Sequence, residues 1–220
     1  MKYEAFLFDM NGTMIDDMNY HGDAWFNILN NDLGAGMSAE EVKSHMYGKN
    51  DELFVRIFGE GRYTKAEMDK WSMQKERAYQ EAFRPNLKLI DGLDAFLDKA
   101  KQHGVQMAIG TAAIPFNVDF VLDNLNLRDY FDAIVTADDV ATSKPHPEVF
   151  TRCADMLKAD YARCVVFEDS PKGVEAAHRA GMDAVVILTY HKQEEFSHLP
   201  NVLMYVNDYT DEKLEGLFAD

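Results

Sequence analysis

Short apolar runs recur along the chain and alternate with amphipathic stretches. Five of these runs are predicted to be buried strands, because they are brief, rich in β-branched or aromatic residues and bounded by turn residues. They are residues 3–8, 105–110, 133–137, 164–169 and 184–188. Amphipathic helices are predicted between them, over residues 91–103, 116–127, 147–157 and 171–180. This alternation predicts a parallel sheet covered by helices on both faces.

Residues 17–84 interrupt the alternation, since the sequence has no short apolar run of the strand type there. Two helix starts of capping-box form occur instead, Ser38 with Glu41 and Thr64 with Glu67. The segment is therefore predicted to be an all-helical insertion that follows the first strand.

The chain has 220 residues, which suits one α/β domain that carries a sizeable insertion. We therefore predict an α/β fold with two domains. Residues 1–16 and 85–220 form a Rossmann-like parallel-sheet core domain, and residues 17–84 form a small all-helical cap domain.

The composition excludes several classes of function. A net charge of −16 argues against nucleic-acid binding, which needs clustered Lys and Arg. No apolar run approaches the roughly 18 residues of a membrane span, and the N-terminal segment lacks a signal-peptide pattern. Cys153 and Cys164 are predicted to be small core residues rather than a disulfide. We expect a cytoplasmic protein with no membrane or nucleic-acid partner, and no protein partner is evident.

Asp9 ends the first predicted strand and is followed by Asn11 and Gly12. The carboxyl ends of parallel strands are where open α/β sheets build their sites. A carboxylate at this point could attack phosphorus or hold a metal. Asn-Gly is also a common turn dipeptide, so an ordinary turn explains these residues as well.

Two further loops carry groups suited to phosphate. Thr111 and Ala112 follow the second strand, where a hydroxyl and backbone N–H groups could close around a phosphate oxygen. Lys144, within the proline-braced segment 143–147, could present an ammonium to a phosphate and is expected to have no core role. Taken alone, an ordinary loop and a solvated lysine explain these residues better.

Glu168 and Asp169 end the fourth predicted strand and precede a helix. Two carboxylates that emerge from an apolar run suit a hard cation with oxygen ligands. The competing interpretation is that these acids favour the start of the helix.

The four segments together resemble the haloacid dehalogenase superfamily in order, spacing and placement at successive strand ends. The resemblance covers essentially the whole chain and is strongest to the β-phosphoglucomutase-like branch. In that branch the first motif runs into a helix with a tyrosine–histidine pair and then a tryptophan, as Tyr20, His21 and Trp25 do here.

The resemblance implies a residue-by-residue site. Asp9 would attack the substrate phosphorus and become an aspartyl phosphate. Mg²⁺ would be held by Asp9, the backbone carbonyl of Asn11, and Asp169, with Glu168 assisting. Thr111 and Lys144 would grip the transferring phosphoryl group. The residues expected to contact substrate are Thr111, Ala112, Lys144, His21, Trp25 and Lys49.

Asn11 departs from the family pattern, in which an aspartate at this position is the general acid/base. An amide cannot accept or deliver a proton in the ordinary pH range. Hydrolysis of the aspartyl phosphate is expected to suffer most, because a water must be deprotonated there. His21 and Asp16 are nearby substitutes in the sequence, although His21 could equally be a hydrogen-bonding residue at the cap hinge.

A second departure bears on the reaction type. β-Phosphoglucomutases bind a distal phosphate with a lysine–asparagine pair and a cap arginine, but Ile114 and Pro115 follow the second motif here. Segment 48–51, where the cap arginine would be expected, has no arginine, and Lys49 or Arg56 could take its role. We therefore favour a phosphatase acting on a small phosphorylated metabolite such as a sugar phosphate. The alternatives are a sugar phosphate mutase and a turnover-impaired phosphate-ligand binding protein.

Overall fold

The structure is a computed structural model that describes residues 2–219, and the chain divides into two compact units. The α/β unit comprises the residues up to Asp16 and those from Lys88 onward. The helical unit is Asp17–Leu87, against the 17–84 predicted for the cap.

The helical unit contains four α-helices: α1 (Met18–Asn27), α2 (Ala39–His45), α3 (Asn50–Phe58) and α4 (Lys65–Phe83). A π-helical turn, Ile28–Asp32, continues α1. Both predicted capping boxes are confirmed at the starts of α2 and α4. The Ser38 N–H donates to Glu41 Oε2 at 2.7 Å, and the Thr64 N–H donates to Glu67 Oε2 at 2.8 Å.

The α/β unit contains a six-stranded parallel sheet with the order β3-β2-β1-β4-β5-β6. Its strands are β1 (Ala5–Phe8), β2 (Gln106–Gly110), β3 (Ala133–Val135), β4 (Cys164–Glu168), β5 (Asp183–Ile187) and β6 (Val202–Val206). Phe8 is level with Ile109 of β2 and Phe167 of β4. The residues that follow these three strands therefore emerge at one edge of the sheet.

Four helices of the α/β unit follow the predicted alternation: α5 (Leu93–Gln102), α6 (Pro115–Leu125), α7 (Glu148–Leu157) and α8 (Pro171–Arg179). The predicted α/β fold with an inserted helical segment is thus confirmed. The five predicted strands are all present, and most of them are shorter than predicted. β6 was not predicted, because the helix expected between successive strands is replaced by the short 3₁₀ turn Gln193–Phe196.

Both faces of β1, which lies near the centre of the sheet, are covered by apolar side chains. Phe6 and Phe8 point to one face, where Phe8 stacks on Phe167 with ring centroids 4.6 Å apart. Ala5 and Leu7 point to the other face and belong to a large apolar cluster. β1 is therefore buried on both sides, and the backbone at its carboxyl end is fixed.

The described part of the chain, residues 2–219, includes both cysteines. Cys153 and Cys164 are buried free thiols, as predicted. None of the helices in this part of the chain is both long and apolar enough to span a membrane.

Candidate active site

Three buried carboxylates converge beyond the ends of β1 and β4. Asp9, Glu168 and Asp169 each contribute a carboxylate oxygen, and these oxygens lie within 4.8 Å of one another. The Asp9 N–H donates to Phe167 O at 2.9 Å, so the ladder between the two strands extends to the site. Adjacent parallel strands thus bring residues from distant parts of the sequence into one cluster.

Lys144 lies between two of these carboxylates. Its Nζ is 2.6 Å from Asp9 Oδ1 and 2.7 Å from Glu168 Oε1. Only 7% of the residue is exposed, and the ammonium lies 4.7 Å from the centre of the Phe150 ring. Although burial alone would lower the pKa of Lys144, the two carboxylates raise it above its usual value. The expectation that Lys144 has no core role is wrong, because its charge compensates buried acids.

The charge of the cluster indicates a cation. Three carboxylates and one ammonium leave two negative charges in a buried site. Burial raises the pKa of Asp9 to about 7, even though Lys144 opposes the shift, so the ionised cluster is costly by itself. One hard divalent cation would balance the charge, and its preferred ligands are carboxylate and carbonyl oxygens. The residues therefore fit a divalent metal of the Mg²⁺ or Ca²⁺ type.

Ser170 and Gly173 hold the Glu168 side chain. Glu168 Oε2 accepts hydrogen bonds from Ser170 N at 2.8 Å and from Ser170 Oγ at 2.9 Å. A Cβ atom at Gly173 would lie 1.7 Å from Glu168 Oε1, so only glycine leaves room for the carboxylate. The sequence analysis missed both positions, although a small residue one turn into the helix after Glu168 is a signal for such close packing.

Gly173→Ala is therefore expected to displace Glu168 and to weaken divalent metal binding. Overpacking of this kind commonly costs about 1–3 kcal/mol of the free energy of unfolding. The measurement is thermal unfolding with and without Mg²⁺, together with a Mg²⁺ titration of activity. Gly216→Ala is the matched control, because a Cβ there meets nothing within 4 Å. Equal Mg²⁺ dependence in both variants would contradict this account of Glu168.

The turn after β1 fixes the backbone around Asn11. Gly12 adopts a φ of +74°, a conformation that favours glycine, and its N–H donates to Ile15 O at 2.8 Å. Met10 O accepts the N–H of Met14, also at 2.8 Å. Asn11 is half-buried and forms a backbone bridge with Ile15. The turn thus holds the backbone at residue 11 close to the carboxyl end of β1.

Thr111 and Ala112 follow β2 at the same edge of the sheet. Thr111 is 1% exposed, and its N–H donates to Val135 O at 3.0 Å. Its Oγ1 accepts the Ala113 N–H at 3.1 Å, which leaves the hydroxyl proton to be donated elsewhere. The Thr111 hydroxyl therefore holds the loop that follows β2, and the phosphate-binding role of Thr111 and Ala112 stays a prediction.

The other predicted substrate residues, His21, Trp25 and Lys49, belong to the helical unit. Trp25 packs in an apolar cluster with Leu29, Phe54 and their neighbours. The Lys49 N–H donates to Glu52 Oε2 at 3.0 Å, where α3 begins. Their roles toward substrate stay predictions.

A buried polar network surrounds His21. Lys75 Nζ lies 2.6 Å from His21 Nδ1, and Asp17 Oδ2 lies 3.3 Å from His21 Nε2. Tyr79 stacks on the His21 ring at 3.7 Å and donates its hydroxyl proton to Asp17 Oδ2 at 2.5 Å. Burial lowers the pKa of Lys75, although Glu76 opposes the shift. This network is not apparent from the sequence, because polar residues along a helix such as α4 are typical of a solvent-exposed face.

Arg56 lies in α3, and its side chain contacts the segment that connects α2 to α3. Its Nη2 donates to His45 O at 2.8 Å and to Tyr47 O, and the guanidinium lies 3.9 Å from the centre of the Tyr47 ring. These contacts hold the connection, so Arg56 has a structural task beside the substrate role considered for it.

The chain is similar to known proteins over most of its length. The family model for haloacid dehalogenase-like hydrolases matches residues 6–187. A fructose-1-phosphate phosphatase of Escherichia coli is 34% identical over 199 residues, which cover 84% of this chain and 96% of that protein. The β-phosphoglucomutase of Bacillus subtilis is 31% identical over 188 residues, which cover 83% of this chain and 82% of that protein.

A solved structure shows the same fold. The crystal structure of β-phosphoglucomutase from Clostridium difficile superposes with a TM-score of 0.83 at 24% identity, over 98% of this chain and 97% of that one.

The parallel sheet with three buried carboxylates at the ends of β1 and β4, together with the matched family, places the chain among α/β enzymes. The chain belongs to the haloacid dehalogenase-like hydrolase family, in its β-phosphoglucomutase-like branch. The resemblance found in the sequence is thereby confirmed, and the protein is a phosphohydrolase or phosphotransferase of that family.

Proposed function

We propose that the protein is a Mg²⁺-dependent phosphatase that acts on a small phosphorylated metabolite, a sugar phosphate, through an aspartyl phosphate on Asp9. The observation that carries the proposal is the buried set of Asp9, Glu168 and Asp169 with Lys144 bound between two of them. Relatives that are named as phosphatases of fructose 1-phosphate, hexitol phosphates and phosphorylated carbohydrates support the substrate class.

In this proposal Asp9, the Asn11 carbonyl and Asp169 hold the metal, and Glu168 assists them. The metal, when bound, neutralises the charge of the phosphoryl group that is being transferred. An oxygen of Asp9 forms a bond to phosphorus while the bond to the leaving group breaks, and water later hydrolyses the aspartyl phosphate. Lys144 supplies positive charge to the phosphoryl oxygens.

Other residues complete the proposed site. Thr111 donates its hydroxyl proton to a phosphoryl oxygen, and the backbone at Ala112 lies beside it. His21, Trp25 and Lys49 of the helical unit contact the remainder of the substrate. These side chains of the helical unit determine which metabolite the protein accepts.

A mutase is the second candidate, because the relative from Bacillus subtilis is named as a β-phosphoglucomutase. Ile114 and Pro115 stand where the distal phosphate would need a cation, which favours the phosphatase. The test is a panel of sugar phosphates, nucleotides, pyrophosphate and acyl phosphates with Mg²⁺, in which released phosphate and isomerised sugar are both measured. Isomerised product without phosphate release would identify a mutase, and neither product would indicate a binding protein.

Lys144→Ala is expected to weaken substrate binding and, contrary to the expectation from sequence, to destabilise the fold. The substitution leaves the buried carboxylates of Asp9 and Glu168 without their shared counter-charge. Removal of one partner of a buried ion pair commonly costs about 3–5 kcal/mol. The free energy of unfolding, measured with urea in EDTA, checks this.

The matched control for that experiment is Lys172→Ala. Lys172 is a half-exposed lysine that pairs with Glu175 on the surface of α8, and its loss should change stability little. Equal stability of the two variants would show that the buried ammonium does not compensate the carboxylates.

A further inference from the structure

The turn that carries Asn11 also preserves it as an amide. Deamidation of an Asn-Gly pair requires the glycine nitrogen to attack the side-chain carbonyl carbon, with release of ammonia. The Gly12 N–H instead donates to Ile15 O at 2.8 Å, and the positive φ of Gly12 is fixed by the same turn. The reactive geometry is therefore available only when the turn opens. We expect the folded protein to keep the amide, which cannot deliver a proton.

Two groups that lie near Asp9 in the α/β unit, Lys144 and Tyr209, donate hydrogen bonds to other residues. Lys144 Nζ binds both Asp9 and Glu168. Tyr209 is buried, and its hydroxyl donates to Thr13 O at 3.0 Å. Each of these two groups therefore already donates to an acceptor within the α/β unit.

The two substitutes considered from the sequence lie in different surroundings. Asp16 is exposed at the end of the first segment of the α/β unit. His21 uses one ring nitrogen toward Lys75 and the other toward Asp17, within the helical unit. Its ring is therefore oriented by, and bonded to, residues of that unit.

Because Asn11 cannot protonate the leaving group, the basicity of the leaving group decides which phosphoryl donors react well. When a carboxylate oxygen of Asp9 forms its bond to phosphorus, the bond from phosphorus to the leaving-group oxygen breaks and its electron pair stays on that oxygen. An alcohol departs as a basic alkoxide that needs a proton, whereas the carboxylate released from an acyl phosphate needs none.

We propose that this site takes phosphoryl donors with weakly basic leaving groups, and acyl phosphates of small metabolites above all. The inference rests on the proposed function: it keeps the aspartyl phosphate on Asp9 and the small phosphorylated metabolite, and through Asn11 it replaces the sugar phosphate named there by a donor whose leaving group needs no proton. We expect acyl phosphates to phosphorylate Asp9 faster than sugar phosphates do, because the alcohol oxygen of a sugar phosphate is a strongly basic leaving group.

The test is the rate at which Asp9 becomes phosphorylated in the presence of Mg²⁺. The donors are glucose 6-phosphate, p-nitrophenyl phosphate and acetyl phosphate, in order of decreasing leaving-group basicity. The phosphoenzyme is quantified by intact mass after acid quenching, in wild type, Asn11→Asp and Asn11→Ala. We expect Asn11→Asp to lower the ratio of the acetyl phosphate rate to the glucose 6-phosphate rate by about 10² to 10⁴-fold. Asn11→Ala should keep the wild-type ratio, whatever it does to the individual rates.

The outcomes separate this inference from the function on which it rests. An unchanged ratio in Asn11→Asp overturns the inference and leaves the phosphatase proposal standing. The inference is also overturned if Asp16→Asn or His21→Asn has a higher ratio of the acetyl phosphate rate to the glucose 6-phosphate rate than the wild type, since that residue would then supply the proton. Absence of a phosphoenzyme with every donor, in all three forms of residue 11, would overturn the proposed function as well.

Discussion

Asp9→Asn is expected to abolish phosphate release while the fold is retained. The substitution removes the nucleophile and a metal ligand together, and loss of a covalent nucleophile commonly costs about 10⁴ to 10⁶-fold in turnover. Without metal, the Asp9→Asn variant should melt at the same temperature as the wild type or at a higher one. The reason is that burial raises the pKa of Asp9 to about 7 in the wild type, so that its charge is unfavourable there. Lys144 keeps its contact with Glu168 in this variant.

The measurements are steady-state phosphate release and thermal unfolding, both with Mg²⁺ and with EDTA. The sign of the pH dependence gives an additional check. A carboxyl group whose pKa is raised in the folded state binds more protons there than in the unfolded chain. Its destabilising effect therefore grows from about pH 4 to about pH 7. The stability advantage of Asp9→Asn over the metal-free wild type should widen over that interval. Full activity of Asp9→Ala, or of wild type in EDTA, would exclude the proposed reaction.

Asn11→Asp is expected to raise phosphatase turnover by about 10² to 10⁴-fold where proton transfer limits the rate. The two side chains are nearly isosteric, so an aspartate should fit the turn that Gly12 and Ile15 form. It would restore a group that can deprotonate the water that attacks the aspartyl phosphate. With an acyl phosphate as the donor, the gain should appear in the hydrolysis step, and the steady-state level of phosphoenzyme should fall accordingly.

Steady-state kinetics of both forms must be accompanied by mass spectrometry of the peptide that contains Asn11. A small fraction of deamidated protein could otherwise account for the activity of a wild-type preparation. Because the Gly12 N–H is held by Ile15, this fraction should rise after cycles of unfolding and stay low in protein kept folded. If unconverted wild type already turns over as fast as Asn11→Asp, the amide is no handicap and another residue is the acid/base.

Much of the α/β unit could be predicted from the sequence because its signals are local. Apolar runs of strand length are visible wherever a strand is buried on both faces, as β1 and β4 are. Asp9 and Asp169 were identified because acids that directly follow such runs must lie at one edge of a parallel sheet. That these acids lie together was implied by the resemblance to the haloacid dehalogenase superfamily, and the pairing of β1 with β4 is its structural reason.

The features that were missed depend on contacts that sequence spacing does not encode. The residues that flank Lys144 in the sequence do not distinguish a solvated lysine from one that is buried between two carboxylates. Lys75 lies on a polar stretch of α4 that is typical of an exposed face, yet it is buried against His21. Gly173 has no local reason to be glycine, and the reason is the side chain of Glu168.

The central position of β1 has a consequence for how the chain folds. Ala5 pairs with Gln106 on one side and with Cys164 on the other, so the first strand to be synthesised is completed only by segments made much later. Such non-local pairing slows folding and leaves the apolar segment Ala5–Phe8 without its partners during synthesis. The contacts that define the helical unit all lie within one continuous stretch, Asp17–Leu87. We expect this stretch to acquire structure first, and the sheet to form only after β4 has been synthesised.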